Sequence, residues 1–202
     1  MGWTVERIAK DEAGIAFYLQ QYKPFRLLSL ERDPSAFGST LSREEAFDEG
    51  RWRDRLLNPQ ASTFVAREED TTRSILSSIT LVGPDPVSEE LRSALNLAGQ
   101  TLPPGQLLHW ELNGVFTLPQ ARRCGIAAAV MSTARQHALA EAALQGSGDC
   151  LVVLTVVVYA ENSGARSWYE KMGFTPYRQD KEDQGRATIE LVQVLHVPQR
   201  PR

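Results

Sequence analysis

The residues best suited to chemistry lie in the second half of the chain. The segment Leu118-Pro119-Gln120-Ala121-Arg122-Arg123-Cys124-Gly125-Ile126-Ala127 separates an extended run from a long Ala-rich helical one. At the start of a helix several backbone N–H groups lack an intrahelical partner and the dipole presents its positive end, so the position receives anions. Arg122 and Arg123 add charge there, and Gly125 lets backbone and ligand approach where a side chain would stand in the way. That combination suits a pyrophosphate. In the extended run before it, residues 107–118, His109, Glu111 and Asn113 alternate onto one face, and Leu108, Trp110 and Leu112 onto the other. A polar face on a central strand is costly unless it lines a wet cleft. Glu111 is therefore the first choice for a general base, His109 the second, and Asn113 a group that positions water. Cys124 sits where a positive helix start lowers a thiol's pKa, which would permit a covalent route, but a plain loop residue is the simpler reading.

The elements that must position these residues alternate between strand and helix. Residues 125–145 read as one helix, 150–159 as a β-branched buried parallel strand, and 163–172 as a short helix. Strands at 174–178 and 188–197 follow, joined by a polar loop at 179–186. Before the motif, residues 3–8 read as a strand and 11–30 as a helix interrupted at Pro24. A turn-rich stretch at 33–38 leads to a helix over 42–57 that Asn58-Pro59 ends, then a hairpin of strands 63–67 and 74–82. Residues 83–106, rich in Pro and Gly at both ends with a short helical middle at 87–97, read as an inserted lid or surface flap. The order implies a single α/β domain with a mixed central sheet flanked by helices.

Composition narrows the function. A chain of 202 residues, 42% hydrophobic and 23% charged, buries one sizeable core. The net charge of −3 supplies no basic field for nucleic acid and mildly favours cationic amines. Two cysteines and three unclustered histidines make neither a disulfide framework nor a metal site. No stretch reaches the roughly 18 apolar residues of a membrane helix, and the polar N-terminus is no signal core. The expectation is a metal-free cytoplasmic protein, with neither a nucleic acid nor a membrane partner, and with its oligomeric state open, a homodimer included.

Residues 118–127 resemble the acetyl-CoA motif of the GNAT (GCN5-related N-acetyltransferase) superfamily, Arg/Gln-x-x-Gly-x-Gly/Ala, with Arg122, Gly125 and Ala127 at the defining places. A second block, Tyr159 to Phe174, is similar to the family's other signature through Asn162, Ala165, Tyr169 and Gly173-Phe174. Phe25 to Leu57 is more softly similar to the acceptor-side helices of GNAT proteins, and residues 83–106 are longer than the family's usual connection. The resemblance implies a GNAT fold with a splayed central sheet. It implies that Val115, Phe116 and Thr117 pair with the pantetheine arm of acetyl-CoA, and that Arg122, Arg123, Cys124, Gly125, Ile126 and Ala127 cradle its pyrophosphate. Asn162 and Ala165 belong to the same cofactor side, and Tyr169 lies near the thioester sulfur. The implied mechanism is direct attack by a bound amine, with oxyanion help from backbone N–H groups around Phe116 or Thr117. Phe25, Arg26, Phe37 and Asn113 are candidates for the acceptor side, although the spacing of the first three equally suits packing.

The acceptor itself is open: a small amine, an amino acid, an aminoglycoside-like compound, or a protein Lys or N-terminus. The absence of a strongly charged groove favours a small molecule. A non-catalytic acyl-CoA sensor is the rival from another class, and release of coenzyme A separates the two. A dinucleotide-binding domain is disfavoured because Gly-x-Gly-x-x-Gly is missing.

Overall fold

A computed structural model describes residues 2–69, 73–100, 102, 106–145, 150–183 and 185–197. It falls into two compact units, Met1–Val82 with Asn113–Ala134, and Gly83–Leu112 with Arg135–Arg202.

The first unit opens with strand β1 (Trp3–Arg7) and helix α1 (Glu12–Phe17), which Asp11 caps by accepting from Gly14 N–H at 2.8 Å. The helical run does not break at Pro24. It widens into a π-turn at Tyr18–Tyr22 and continues as α2 (Lys23–Arg32), so the proline sits in a first turn where its missing N–H costs little. The helix expected over 42–57 is two helices, α3 (Leu41–Glu45) and α4 (Glu49–Leu57). Asp48 between them takes extended backbone and caps Arg51 N–H at 2.8 Å. Strands β2 (Ala61–Glu68) and β3 (Ile75–Pro86) pair antiparallel, and β1 pairs with β2. The unit's core gathers Ile15, Tyr18, Tyr22, Phe25, Trp52, Val65 and Phe116. Tyr18 and Tyr22 stack with centroids 4.5 Å apart, and each fully buried large side chain stabilises by about 1.5–3 kcal/mol.

Strand β4 (Gln106–Thr117) runs from the second unit into the first, and helix α6 (Ile126–Gln145) runs back. Within the second unit β4 pairs parallel with β5 (Cys150–Tyr159), from Gln106–Cys150 to Glu111–Thr155. Strand β5 pairs antiparallel with β7 (Arg186–His196), and β7 with β6 (Thr175–Asp183), while helix α7 (Ser163–Lys171) follows β5. Two expectations change here. The polar loop at 179–186 is mostly strand, closed by a tight turn with Gly185 at φ +75°. The helical middle expected at 87–97 is present as α5 (Glu89–Leu97), capped by Ser88, but it does not stand off as a surface flap: its Leu91 and Leu95 bury against Val153 and Val192. Its leucines lie four apart, so one face of the helix is apolar and covers the sheet. Among the described residues no helix is long and apolar enough to cross a membrane, and no group of His, Cys, Asp or Glu is placed to hold a metal ion.

Candidate active site

In the first unit, the turn between β4 and α6 has the backbone of an anion cradle. A 3-10 turn at Pro119–Ala121 leads into Arg122, then Arg123 at φ +62° and Gly125 at φ +78°, both left-handed. The first intrahelical bond of α6 here runs from Ala129 N–H to Gly125 O at 3.0 Å, so the amides just before it are left to ligand or water. Arg122, Arg123, Cys124 and Gly125 are exposed, Ala127 is half-buried, and Ile126 is buried as the anchor of the turn. A Cβ at Gly125 would meet nothing within 4 Å, so its φ, with the open approach it leaves, accounts for the glycine. Arg122 turns part of its guanidinium inward: Nε donates to Thr117 O at 3.1 Å and Nη2 lies 3.8 Å from Asp33 Oδ2.

Upstream on β4, Gly114 is left-handed at φ +58°, an irregularity inside the strand. The β3 serines answer it. Ser78 Oγ donates to Gly114 O at 3.0 Å and Ser77 Oγ to Phe116 O at 3.0 Å. The carbonyls of Gly114 and Phe116 thus face β3, and alternation turns the N–H and C=O of Val115 and the N–H of Thr117 the other way. Phe116 buries its ring against Phe25 (5.7 Å) and Phe37 (6.3 Å), while Asn113 is exposed. Tyr22 Oη lies 3.7 Å from where a Cβ on Gly114 would stand.

Of the expected acceptor-side residues, Phe25 and Arg26 are buried and Phe37 is half-buried. Arg26 is fixed by Glu44: Nε donates to Oε2 at 3.1 Å and Nη2 to Oε1 at 2.8 Å, while Arg55 Nη1 reaches Oε2 at 2.8 Å. Phe37 lies over the Arg26 guanidinium at 4.5 Å. Burial alone would push the Glu44 carboxyl up, but the Arg26 hydrogen bond and the charges of both arginines hold it at about 2. In this setting Phe25 and Arg26 have structural partners, and Arg26 forms a buried ion pair.

The second unit holds the other expected residues. Leu108, Trp110 and Leu112 are buried while His109 and Glu111 are half-buried, as alternation requires. His109 Nε2 lies 2.7 Å from Thr155 Oγ1. Burial lowers its pKa, opposed by Asp85, so the ring is neutral at physiological pH. Glu111 has no hydrogen-bond or ion-pair partner among the described residues, but it interacts electrostatically with Tyr177. Asn162 caps α7, its Oδ1 accepting from Ala165 N–H at 3.1 Å, which leaves its amide nitrogen for another partner. Tyr169 is buried edge-on to Trp168 (4.9 Å) and Phe174 (5.4 Å). Burial pushes its phenol above the usual tyrosine range, and its hydroxyl has no hydrogen-bond partner among the described residues.

Four residues that sequence reasoning did not assign belong to this description. Thr155, which holds His109, is the one polar residue in an otherwise apolar strand, and Gly114 is a lone glycine inside a strand pattern; both were visible signals. Tyr177 and Glu190 carried none, because only the β6–β7 register brings them together.

Residues 59–176 match the family model described as an acetyltransferase (GNAT) domain. No protein of curated function matches the chain in sequence. Among solved structures, Arabidopsis thaliana NAA60 in complex with acetyl-CoA superposes with a TM-score of 0.60 at 14% identity, over 96% of this chain and 99% of that one. Spermidine N-acetyltransferase from Vibrio cholerae, in complex with CoA and spermine, gives 0.57 at 12% identity, over 96% and 95%. FeeM, an N-acyl amino acid synthase from uncultured soil microbes, gives 0.55 at 14% identity, over 98% and 92%. At these identities the likeness is one of fold.

Proposed function

Because the chain belongs to the GNAT acetyltransferase family and is thus an acetyl-CoA-dependent N-acetyltransferase, we propose that its acceptor is the primary amine of a small molecule. Transfer is direct. The observation that carries the cofactor assignment is the left-handed pair Arg123 and Gly125 ahead of unbonded α6 amides. A cradle of that form fits a diphosphate through main-chain N–H groups, with Arg122 and Arg123 adding charge. Val115 and Thr117, whose amides turn away from β3, suit an added strand such as a pantetheine arm, and the same outward amides suit an oxyanion. Asn162 has its amide nitrogen to offer the cofactor.

Acetyl-CoA supplies a thioester whose carbonyl carbon the amine attacks. An alkyl ammonium has a pKa of about 10, so one N–H proton must leave before the nitrogen is a nucleophile. Glu111, a half-buried carboxylate with no competing partner among the described residues, is suited to take it, directly or through a water that Asn113 orders. His109, neutral and tied to Thr155, is the second base. Tyr169 stays protonated at any working pH and has its O–H to donate to the departing sulfur. The neighbours differ in acceptor, since one is a spermidine N-acetyltransferase in complex with CoA and spermine and another is the NatC complex bound to a Gag peptide and CoA. The small-molecule reading follows from the absence of a strongly charged groove in the sequence. The test is coenzyme A release by Glu111→Gln and Tyr169→Phe; full activity in both would remove the mechanism.

A further inference from the structure

The face of the second unit that carries Glu111 has an arrangement which neither the family match nor the neighbours assign. Cross-strand register sets Glu111 beside Thr155, and Thr155 beside Val192. One step further along, Val157 stands beside Glu190. Val157 is 50% exposed although it lies on a strand in the middle of this sheet, so the face is open there. On the far side, Pro176 pairs with Leu191 and Arg178 with Glu190, which leaves Tyr177 as the extra residue of a β-bulge. The bulge makes Tyr177 and Arg178 both oppose Glu190. Burial, and after it Glu190, raises the Tyr177 phenol above its usual range, and Arg178 Nη1 lies 3.6 Å from Glu190 Oε2 and 3.1 Å from Glu90 Oε1 on α5. Tyr177 also packs on the cluster that α5 makes with Val153 and Val192, so the inserted helix buttresses it.

We propose that Tyr177, held by Glu190, is a positioning residue that receives the acceptor's ammonium group opposite Glu111, with Val157 as the floor for an aliphatic chain. The inference rests on the acetyltransferase reading and adds the acceptor class, an aliphatic primary amine that arrives as a cation. Two strand spacings and two residues separate the Glu111 and Glu190 backbones, roughly 12 Å, a span that two glutamate side chains and an alkylammonium head together can fill. Tyr177 spends its proton on Glu190, so its oxygen presents lone pairs and accepts from an ammonium N–H. Burial, followed by the Glu190 hydrogen bond and charge, keeps that phenol protonated. In the reaction one ammonium proton passes to the Glu111 carboxylate, the nitrogen keeps the lone pair for attack, and the Tyr177 proton stays where it is. Glu111 and Glu190 give this face two carboxylates, and Arg178 is already engaged by two glutamates, so a carboxylate-bearing acceptor is disfavoured.

The full-length protein is assayed at saturating acetyl-CoA with spermidine and with hexylamine as acceptors, in wild type, Tyr177→Phe and Glu190→Gln. Loss of a hydrogen bond to a charged group predicts an amine KM raised about tenfold or more, with kcat within about threefold. The acetyl-CoA Kd of Tyr177→Phe stays at its wild-type value, since the ring and its packing remain. An unchanged amine KM in both variants overturns the proposal. Wild type that binds acetyl-CoA but uses neither amine overturns the seat and leaves the family activity standing. Wild type that binds no acetyl-CoA overturns the underlying reading, and the seat with it.

Discussion

Glu44→Gln is the perturbation whose size the structure sets most directly. Glu44 is 2% exposed and lies between two guanidiniums, with Arg26 and Arg55 contacts at 2.8 Å each. Its carboxyl falls from 4.5 to about 2, first against the opposing effect of burial and then through the Arg26 hydrogen bond and the two charges. That difference corresponds to about 3 kcal/mol of stability at neutral pH. A carboxyl with a lower pKa folded than unfolded binds fewer protons in the native state. Its contribution is therefore complete above pH 4.5 and is lost as the pH falls towards 2. The amide keeps the size of the side chain but leaves the buried Arg26 without its counter-charge, which costs on the order of 3–5 kcal/mol. For a chain of this length the melting temperature drops by on the order of 10 °C at pH 7. The assay is thermal and urea unfolding of wild type and variant between pH 2 and 7. Wild type loses its advantage between pH 4.5 and 2, and the two curves converge there. Curves that stay parallel through that interval would show that Glu44 is not the buried counter-charge described.

Three further outcomes follow from the site. Replacing Gly125 by Val puts a β-branched residue at φ +78° and weakens acetyl-CoA binding by about tenfold or more, measured by calorimetry, while an unchanged Kd would remove the cradle. Tyr169→Phe lowers kcat by about 10²-fold with the acetyl-CoA Kd unchanged, because the packing of the ring is kept. His109 has a folded pKa below its ordinary 6.5, so the unfolded state binds more protons and stability falls as the pH drops below 6.5. His109→Gln flattens that part of the stability curve, and an unaltered slope would contradict a buried neutral ring.

Much of this was legible in the residues because the signals were local. The β-branched run Cys150–Tyr159 became a strand with those ends, and the Ala-rich run became α6 from Ile126. The polar alternation of His109 and Glu111 survived because burial of Trp110 on the opposite face dictates it. What escaped depended on partners distant in sequence. The extra residue at Tyr177 exists only relative to β7, and no periodicity announces it. Arg26 read as an acceptor-side residue because nothing near it in sequence shows that Glu44 will neutralise it. The 83–106 segment read as a flap because its Pro and Gly content outweighed the four-residue spacing of Leu91 and Leu95, which buries α5. Pro24 read as an interruption because a π-turn that accommodates it has no sequence mark of its own.

Binding of acetyl-CoA at the turn from Thr117 to Ala127, for transfer to an amine, is the step on which the proposed function stands. The most direct measurement is calorimetric titration of acetyl-CoA into the purified protein, followed in the same sample by thiol release across an amine panel that includes spermidine. Binding at this turn predicts a saturable titration at about one site per chain, with coenzyme A released when an amine is present. Absence of binding would contradict it, and binding without release to any amine would leave a sensor in place of an enzyme.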